Sequence, residues 1–379
     1  MTGPALHAKL MEVRRRLHAY PEIGFELERT RACLAALLRD AGLEPRFVAG
    51  GLVADLGPGP GRVLLRAEMD ALPVADGKET PYKSQNPGFC HACGHDGHMA
   101  MLYGALLLLQ ENPPCGGVRL VFQPAEECPP GGALGMIEAG VLEDVRAAFA
   151  LHLNPSLPYG VVGVKPGVMM AAADNFRLTV LGSGGHGAQP HHTVDAVLVA
   201  AHTVTALQTL VSRYKDPLDP LVLTIGKIQG GTASNVIADA VVLEGTVRTL
   251  DWQLRQEMPS RIETLAAGVC AAFGARLRCE YFFGYPPLLN NAEMSELAAK
   301  AARETLGQRA AVTLERAMMG GEDFAYFLEK VPGAFIFLGT GDADYLHPLH
   351  HSCFDFNEKI LATGATLLAA VTRAAWLPI

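Results

Sequence analysis

The chain is poor in charge and in aromatic rings: Asp, Glu, Lys and Arg make up 18% of its 379 residues, and Phe, Trp and Tyr 7%. Its 31 basic residues, set against 39 acidic ones, form no basic block. That argues against nucleic acid or an anionic membrane as the main partner and leaves small molecules. Long apolar runs are also missing. The longest, Met99 to Leu109, falls well short of the ~18–20 residues that span a bilayer. The opening stretch MTGPALHAKLMEVRRRLHAY lacks the apolar core of a signal peptide, while Leu6, Leu10, Val13 and Leu17 recur at helical spacing, so an amphipathic helix and a cytoplasmic protein are expected. In that compartment the eight cysteines are mostly reduced thiols. Cys33, Cys115, Cys270 and Cys279 read as packing residues.

Hydrophobic residues are plentiful at 49%, enough for the cores of about two domains. From Leu52 onward, apolar strands (LVADLG, VLLRAE, VRLVFQ, AAFALHL) alternate with helices (97–110 and GALGMIEAG). This predicts an α/β fold with a mostly parallel sheet covered by helices on both faces. Around Asp174 the style changes. A strand, a helix from Val194 to Val211, two strands, a helix from Gln253 to Ala272 and a further strand predict an inserted α+β layer of βαββαβ order over residues 174–285. The first style resumes from Pro286, so residues 1–173 and 286–379 are expected to form one discontinuous catalytic domain.

In such sheets chemistry gathers beyond the carboxyl ends of the strands. The stretch CHACGH, Cys90 to His95, offers two thiols and two imidazoles. Haem attachment needs His directly after the second Cys, where Gly94 stands. A closed four-cysteine zinc knuckle needs a second C-x-x-C, which is absent. A metal site assembled from distant positions fits better. VRLVF is followed by QPAEE with Glu126 and Glu127, AAFALHL ends in His152, and YLHPLHHSCFDF lies near the C-terminus. Thiolate, imidazole and carboxylate together suit zinc, and also manganese, cobalt or nickel.

The ordered stretches RRRLHAYPEIGFE, LLRAEMDALP, HACGHDGH, VFQPAEE, SGGHGAQPHHTVDA, GGTASNVIADA, GTVRT, GGEDFAYF and LHHSCFDF resemble the landmarks of the dinuclear metal amidohydrolases, which include hippurate hydrolase, N-acyl-amino-acid amidohydrolases and indole-acetyl-amino-acid hydrolases. The resemblance covers nearly the whole chain. It implies two divalent metal ions per subunit, held by Cys93, His95, Glu127, His152 and His350, with the Cys93 sulfur bridging them. His347 and His351 are runners-up to His350, which is selected because it stands four residues before Phe354. Glu126 is implied as the base that takes a proton from water and returns one to the departing amine. His186 resembles a histidine that reaches another subunit's site to stabilise the oxyanion, and Asn235 and Arg248 would bind the substrate carboxylate. The implied protein is at least a homodimer, acting on small N-acyl amino acids.

Some positions depart from the family. Glu68 stands where Asp is common, and Ala238 replaces a common Pro. Asp70 is expected to support a ligand histidine, and Asp96 either caps a helix or lends similar support. Cys90 reads as loop packing, and His18 and Glu322 match the motifs without an evident role. The alternatives are a dipeptidase or carboxypeptidase on the same scaffold, a thiol redox protein using Cys90 and Cys93, and a metal-binding regulator. Glu126 argues against the regulator, because holding metal does not require it.

Overall fold

The computed structural model describes residues 3–377, which divide into two compact units. One runs to Met169 and resumes over Leu289–Arg316 and from Asp323 onward; the other comprises Met170–Leu288 and Ala317–Glu322.

The first unit is built on an eight-stranded sheet. Its order is Arg46–Val48, Gly51–Leu56, Gly117–Gln123, Arg62–Glu68, Val145–Pro158, Gly333–Gly341, Val162–Val164 and Ala311–Thr313. Arg62–Glu68 runs parallel to both of its neighbours, and Gly333–Gly341 runs parallel to Val145–Pro158. Gly117–Gln123 is buried along its whole length, as a strand covered on both faces must be.

Helix Gly3–His18 turns Leu6, Leu10, Val13 and Leu17 inward, matching the spacing in the sequence. Helix His95–Glu111 is buried nearly all round and packs against Gly3–His18 and Ile360–Ala374. Gly104 allows this close approach, since a Cβ there would lie 2.7 Å from the Cβ of Ala365. Any larger residue would have to push a helix aside, at a typical cost of about 1–3 kcal/mol. This packing fixes the start of the helix, where His95 and Asp96 lie.

The second unit has a four-stranded antiparallel sheet in the order Leu221–Gly230, Ala240–Thr249, Ala172–Leu181 and Arg276–Tyr285. Helices Ala196–Thr209 and Trp252–Ala272 complete the βαββαβ sequence. Asp195 and Asp251 cap these helices through their side chains, which satisfies backbone N–H groups that have no partner within the helix. A separate core including Phe176, Leu178, Val199, Leu243, Met258 and Ile262 holds the layer together.

Candidate metal centre

Three loops at the carboxyl ends of neighbouring strands, together with the strand that carries His152, place the donors. After Arg62–Glu68 the chain passes through Asp70, whose carboxylate accepts from the N–H groups of Glu126 and Glu127 at 3.0 Å each. Those bonds hold the turn after Gly117–Gln123, where Ala125 adopts a left-handed φ of 55°. Gly94, at φ 87°, makes the turn between Cys93 and the helix that His95 begins. His152 lies on Val145–Pro158. His350 sits in a loop at φ 67°, where its N–H donates to the Ala92 carbonyl at 2.7 Å.

The donor atoms of Cys93, His95 and His152 lie within 4.8 Å of one another, and so do those of Cys93, Glu127 and His350. Cys93 is common to both groups. Glu126 stands beside them, with its Oε2 4.0 Å from His95 Nε2.

Hydrogen bonds decide which ring nitrogens face this space. His95 Nδ1 donates to the Asp70 carbonyl at 2.8 Å, and its buried Nε2 has no hydrogen-bond partner. Asp70 therefore supports the histidine through its backbone, since its carboxylate oxygen lies farther away at 3.7 Å. His152 Nδ1 donates to the Leu153 carbonyl at 2.7 Å, leaving Nε2 to accept from the Cys93 thiol at 3.4 Å. A ring nitrogen whose partner nitrogen is already committed is a pre-oriented metal ligand.

Electrostatics point the same way. Burial and the neighbouring His98 hold the His152 imidazole neutral, with its pKa down at about 3. Burial also pulls His95 down, but Asp70, Glu68 and Glu127 outweigh it and hold the ring at about 10. Burial, Glu127 and Glu126 push the Cys93 thiol well above its ordinary value. The pocket thus has more negative charge than its own side chains balance. A soft and hard donor set, an unpartnered buried nitrogen and surplus negative charge fit divalent cations.

Behind the donors lies a network only partly visible in the sequence. Buried Glu68 pairs with Arg66 and accepts from His98 Nδ1 at 2.8 Å. The N–H of Leu153 donates to His98 Nε2 at 3.0 Å, so both nitrogens of His98 are occupied and it supports the site from behind. Its position three residues after His95, on the same helical face, was the available signal. Arg66 also reaches Asp323 at 2.6 Å. Asp96 accepts from His18 Nδ1 and from Arg14 Nε at 2.7 Å each. Asp96 is therefore not the helix cap; it ties the helix start to Gly3–His18. All eight cysteines are free, and Cys90 lies buried with its sulfur 3.8 Å from Lys78 Nζ.

His186, Asn235 and Arg248 belong to the second unit. Gly185–His186 forms a two-stranded ribbon with Val236–Ile237, and the N–H of Gly187 donates to the Asn235 carbonyl at 2.8 Å. This brings His186 and Asn235 onto neighbouring turns. Arg248 lies on Ala240–Thr249, opposite Ala173. Burial lowers its pKa, and Asp174 and Tyr285 partly offset that.

Fold and site together define a metal-dependent amidohydrolase. The chain belongs to peptidase family M20/M25/M40, matched over residues 64–374. It is 40% identical over 370 residues to N-acetyl-L-cysteine deacetylase of Bacillus subtilis, covering 96% of this chain and 87% of that one. Thermostable carboxypeptidase 1 of Saccharolobus solfataricus is 36% identical over 370 residues, covering 94% and 92% of the two chains. The crystal structure of Bacillus subtilis YxeP, a dinuclear metal-binding peptidase of the M20 family, superposes with a TM-score of 0.85 at 33% identity, covering 98% of this chain and 99% of that one.

Proposed function

We propose that this enzyme hydrolyses the amide bond of N-acyl-L-amino acids, releasing a carboxylic acid and a free amino acid in the cytoplasm. The observation that carries the reading is the meeting of two donor groups at Cys93, with a further carboxylate, Glu126, beside them. Two divalent cations, held by Cys93, His95, Glu127, His152 and His350, would supply Lewis acidity to the acyl carbonyl and make water a stronger acid. Glu126 takes a proton from the attacking water and returns one to the departing amine nitrogen. The Asp70 carboxylate keeps Glu126 and Glu127 in fixed register through their N–H groups.

Arg248 and Asn235 bind the carboxylate of the amino acid product half. Arg248 is half-buried and has no ion pair among the described residues, a state suited to a two-pronged anion contact. His186, exposed on its ribbon, stabilises the developing oxyanion of a partner subunit's substrate in a homodimer formed through the second unit. Among the described residues the outer strand Leu221–Gly230 has an unpaired edge, and Ile228 and Val236 are exposed, features that a second copy would cover.

A carboxypeptidase reading rests on the Saccharolobus solfataricus relative and uses the same Arg248 contact. A panel of N-acetyl amino acids, N-benzoyl amino acids and unblocked dipeptides separates the two. Preferred turnover of the blocked substrates supports the proposal, and exclusive turnover of the dipeptides overturns it.

A further inference from the structure

We infer that His347, His351 and Cys353 form a third cation site, distinct from the centre that Cys93 joins, and that its natural occupant is a borderline-soft divalent ion such as Zn²⁺. The donor atoms of these three residues lie within 4.8 Å of one another. Zinc–nitrogen bonds of about 2.0 Å and zinc–sulfur bonds of about 2.3 Å put tetrahedral donors about 3.3–3.6 Å apart, so the donors must draw together. The imidazoles of His347 and His351 stack with centroids 4.2 Å apart and planes 6° from parallel; because an imidazole ligates in its own ring plane, one of these exposed rings must rotate out of the stack for both to reach one ion. The N–H of Cys353 donates to His351 Nδ1 at 3.0 Å, a bond that the cation would replace.

The segment is held in place before any ion arrives. The N–H of His350 donates to the Ala92 carbonyl at 2.7 Å, that of Gly77 to the Ser352 carbonyl at 2.9 Å, and that of Phe354 to the His351 carbonyl at 2.9 Å. Phe354 and Phe356 are buried just beyond. Ordering lost in advance is not lost again on binding. The left-handed residue His350 separates the two sets of donors: its Nε2 lies 3.3 Å from Glu127 Oε1, while His347 before it and His351 and Cys353 after it make up the other group. Two imidazoles and a thiol favour Zn²⁺, Co²⁺, Ni²⁺ or Cu²⁺ over Mg²⁺ and Ca²⁺. Three protein donors leave a coordination position for water. With two of the three donors exposed, this site is the weaker and faster-exchanging one. An ion here would clamp the segment that carries His350.

The test is metal titration of the full chain by equilibrium dialysis, with Zn²⁺ and with Co²⁺ alone. Wild-type protein should bind one more ion per chain than Cys353→Ser or His347→Ala, and the lost ion should come from the weaker class. In a Cys93→Ser background the extra ion and its thiolate-to-cobalt absorption should persist, and both should vanish when Cys353→Ser is added. This arm is independent of the catalytic reading. A second measurement is the alkylation rate of Cys353, followed by peptide mass spectrometry. Zn²⁺ at about ten times its dissociation constant should slow modification about elevenfold in wild type, and not in His351→Ala. Equal ion counts in wild type and Cys353→Ser, or alkylation of Cys353 unaffected by Zn²⁺, would overturn the inference.

Discussion

His95 and His152 are buried, each with one ring nitrogen committed to a backbone carbonyl, whereas the His350 side chain is 54% exposed and Glu127 sits on a turn. Both pairs meet at the same sulfur. The inner pair gains its geometry from helix packing and a central strand, and the outer pair from two left-handed loop residues, Ala125 and His350. A cation beside His95 and His152 would therefore meet a pre-organised site and should exchange slowly. One beside Glu127 and His350 would meet a more open site and should be easier to lose.

The sharpest way to break this contrast is to treat the two adjacent carboxylates as equals. Glu126→Gln should cut turnover by about 10² to 10⁴ while metal content stays near wild type, and Glu127→Gln should lose the outer ion as well. Metal analysis beside steady-state kinetics checks this; an emptied site in Glu126→Gln with a filled one in Glu127→Gln would reverse the assignment. Next in size is the shared sulfur. Cys93→Ser should weaken both ions, whereas Cys90→Ser, whose sulfur lies beside Lys78 Nζ, should leave metal content and activity near wild type. Equal loss from both would restore a paired-cysteine role. A chelator dilution series sharpens the contrast further, since His350→Ala should release one ion and retain the other at chelator levels where His152→Ala has lost the inner one.

The smallest effect is on acid stability. Burial holds His91 neutral, with its pKa down at about 3 against 6.5 for an ordinary histidine, and neither ring nitrogen has a hydrogen-bond partner. Below pH 6.5 the unfolded chain binds a proton at this position that the folded chain refuses until about pH 3. Stability is therefore full above pH 6.5 and falls as pH drops toward 3. Replacing His91 with Leu should flatten the decline over that window in denaturant titrations. An unchanged slope would place the acid sensitivity elsewhere.

The apolar runs and glycine turns of the sequence pointed to the candidate donors: Glu127 follows the strand Gly117–Gln123, and Cys93 and His95 flank Gly94, whereas His152 lies within Val145–Pro158 and His350 in a loop that no apolar run marks. The tautomers were not legible. They depend on Asp70 and Leu153 offering backbone carbonyls, and a backbone carbonyl leaves no mark on residue type. The same holds for Asp96, whose place near a helix start suggests a cap, while its carboxylate goes to Arg14 and His18 on a helix more than seventy residues earlier. The short strands Val162–Val164 and Ala311–Thr313 carry too few residues for any periodicity to register, and the return of Ala317–Glu322 to the second unit follows from tertiary packing alone.

The strand Gly333–Gly341 lies between Val145–Pro158 and Val162–Val164 in the large sheet, although it is made near the end of the chain. A ribosome that has synthesised the first three hundred residues has therefore exposed His152 and its buried neighbours on an open strand edge, with nothing yet available to cover it. The four-stranded layer has all its strands by Tyr285 and can close while synthesis continues. Chains that stop before Gly333 would carry a finished small unit attached to an unfinished sheet whose bare edge invites pairing with other chains. The large sheet is thus completed only when Gly333–Gly341 takes its place in it.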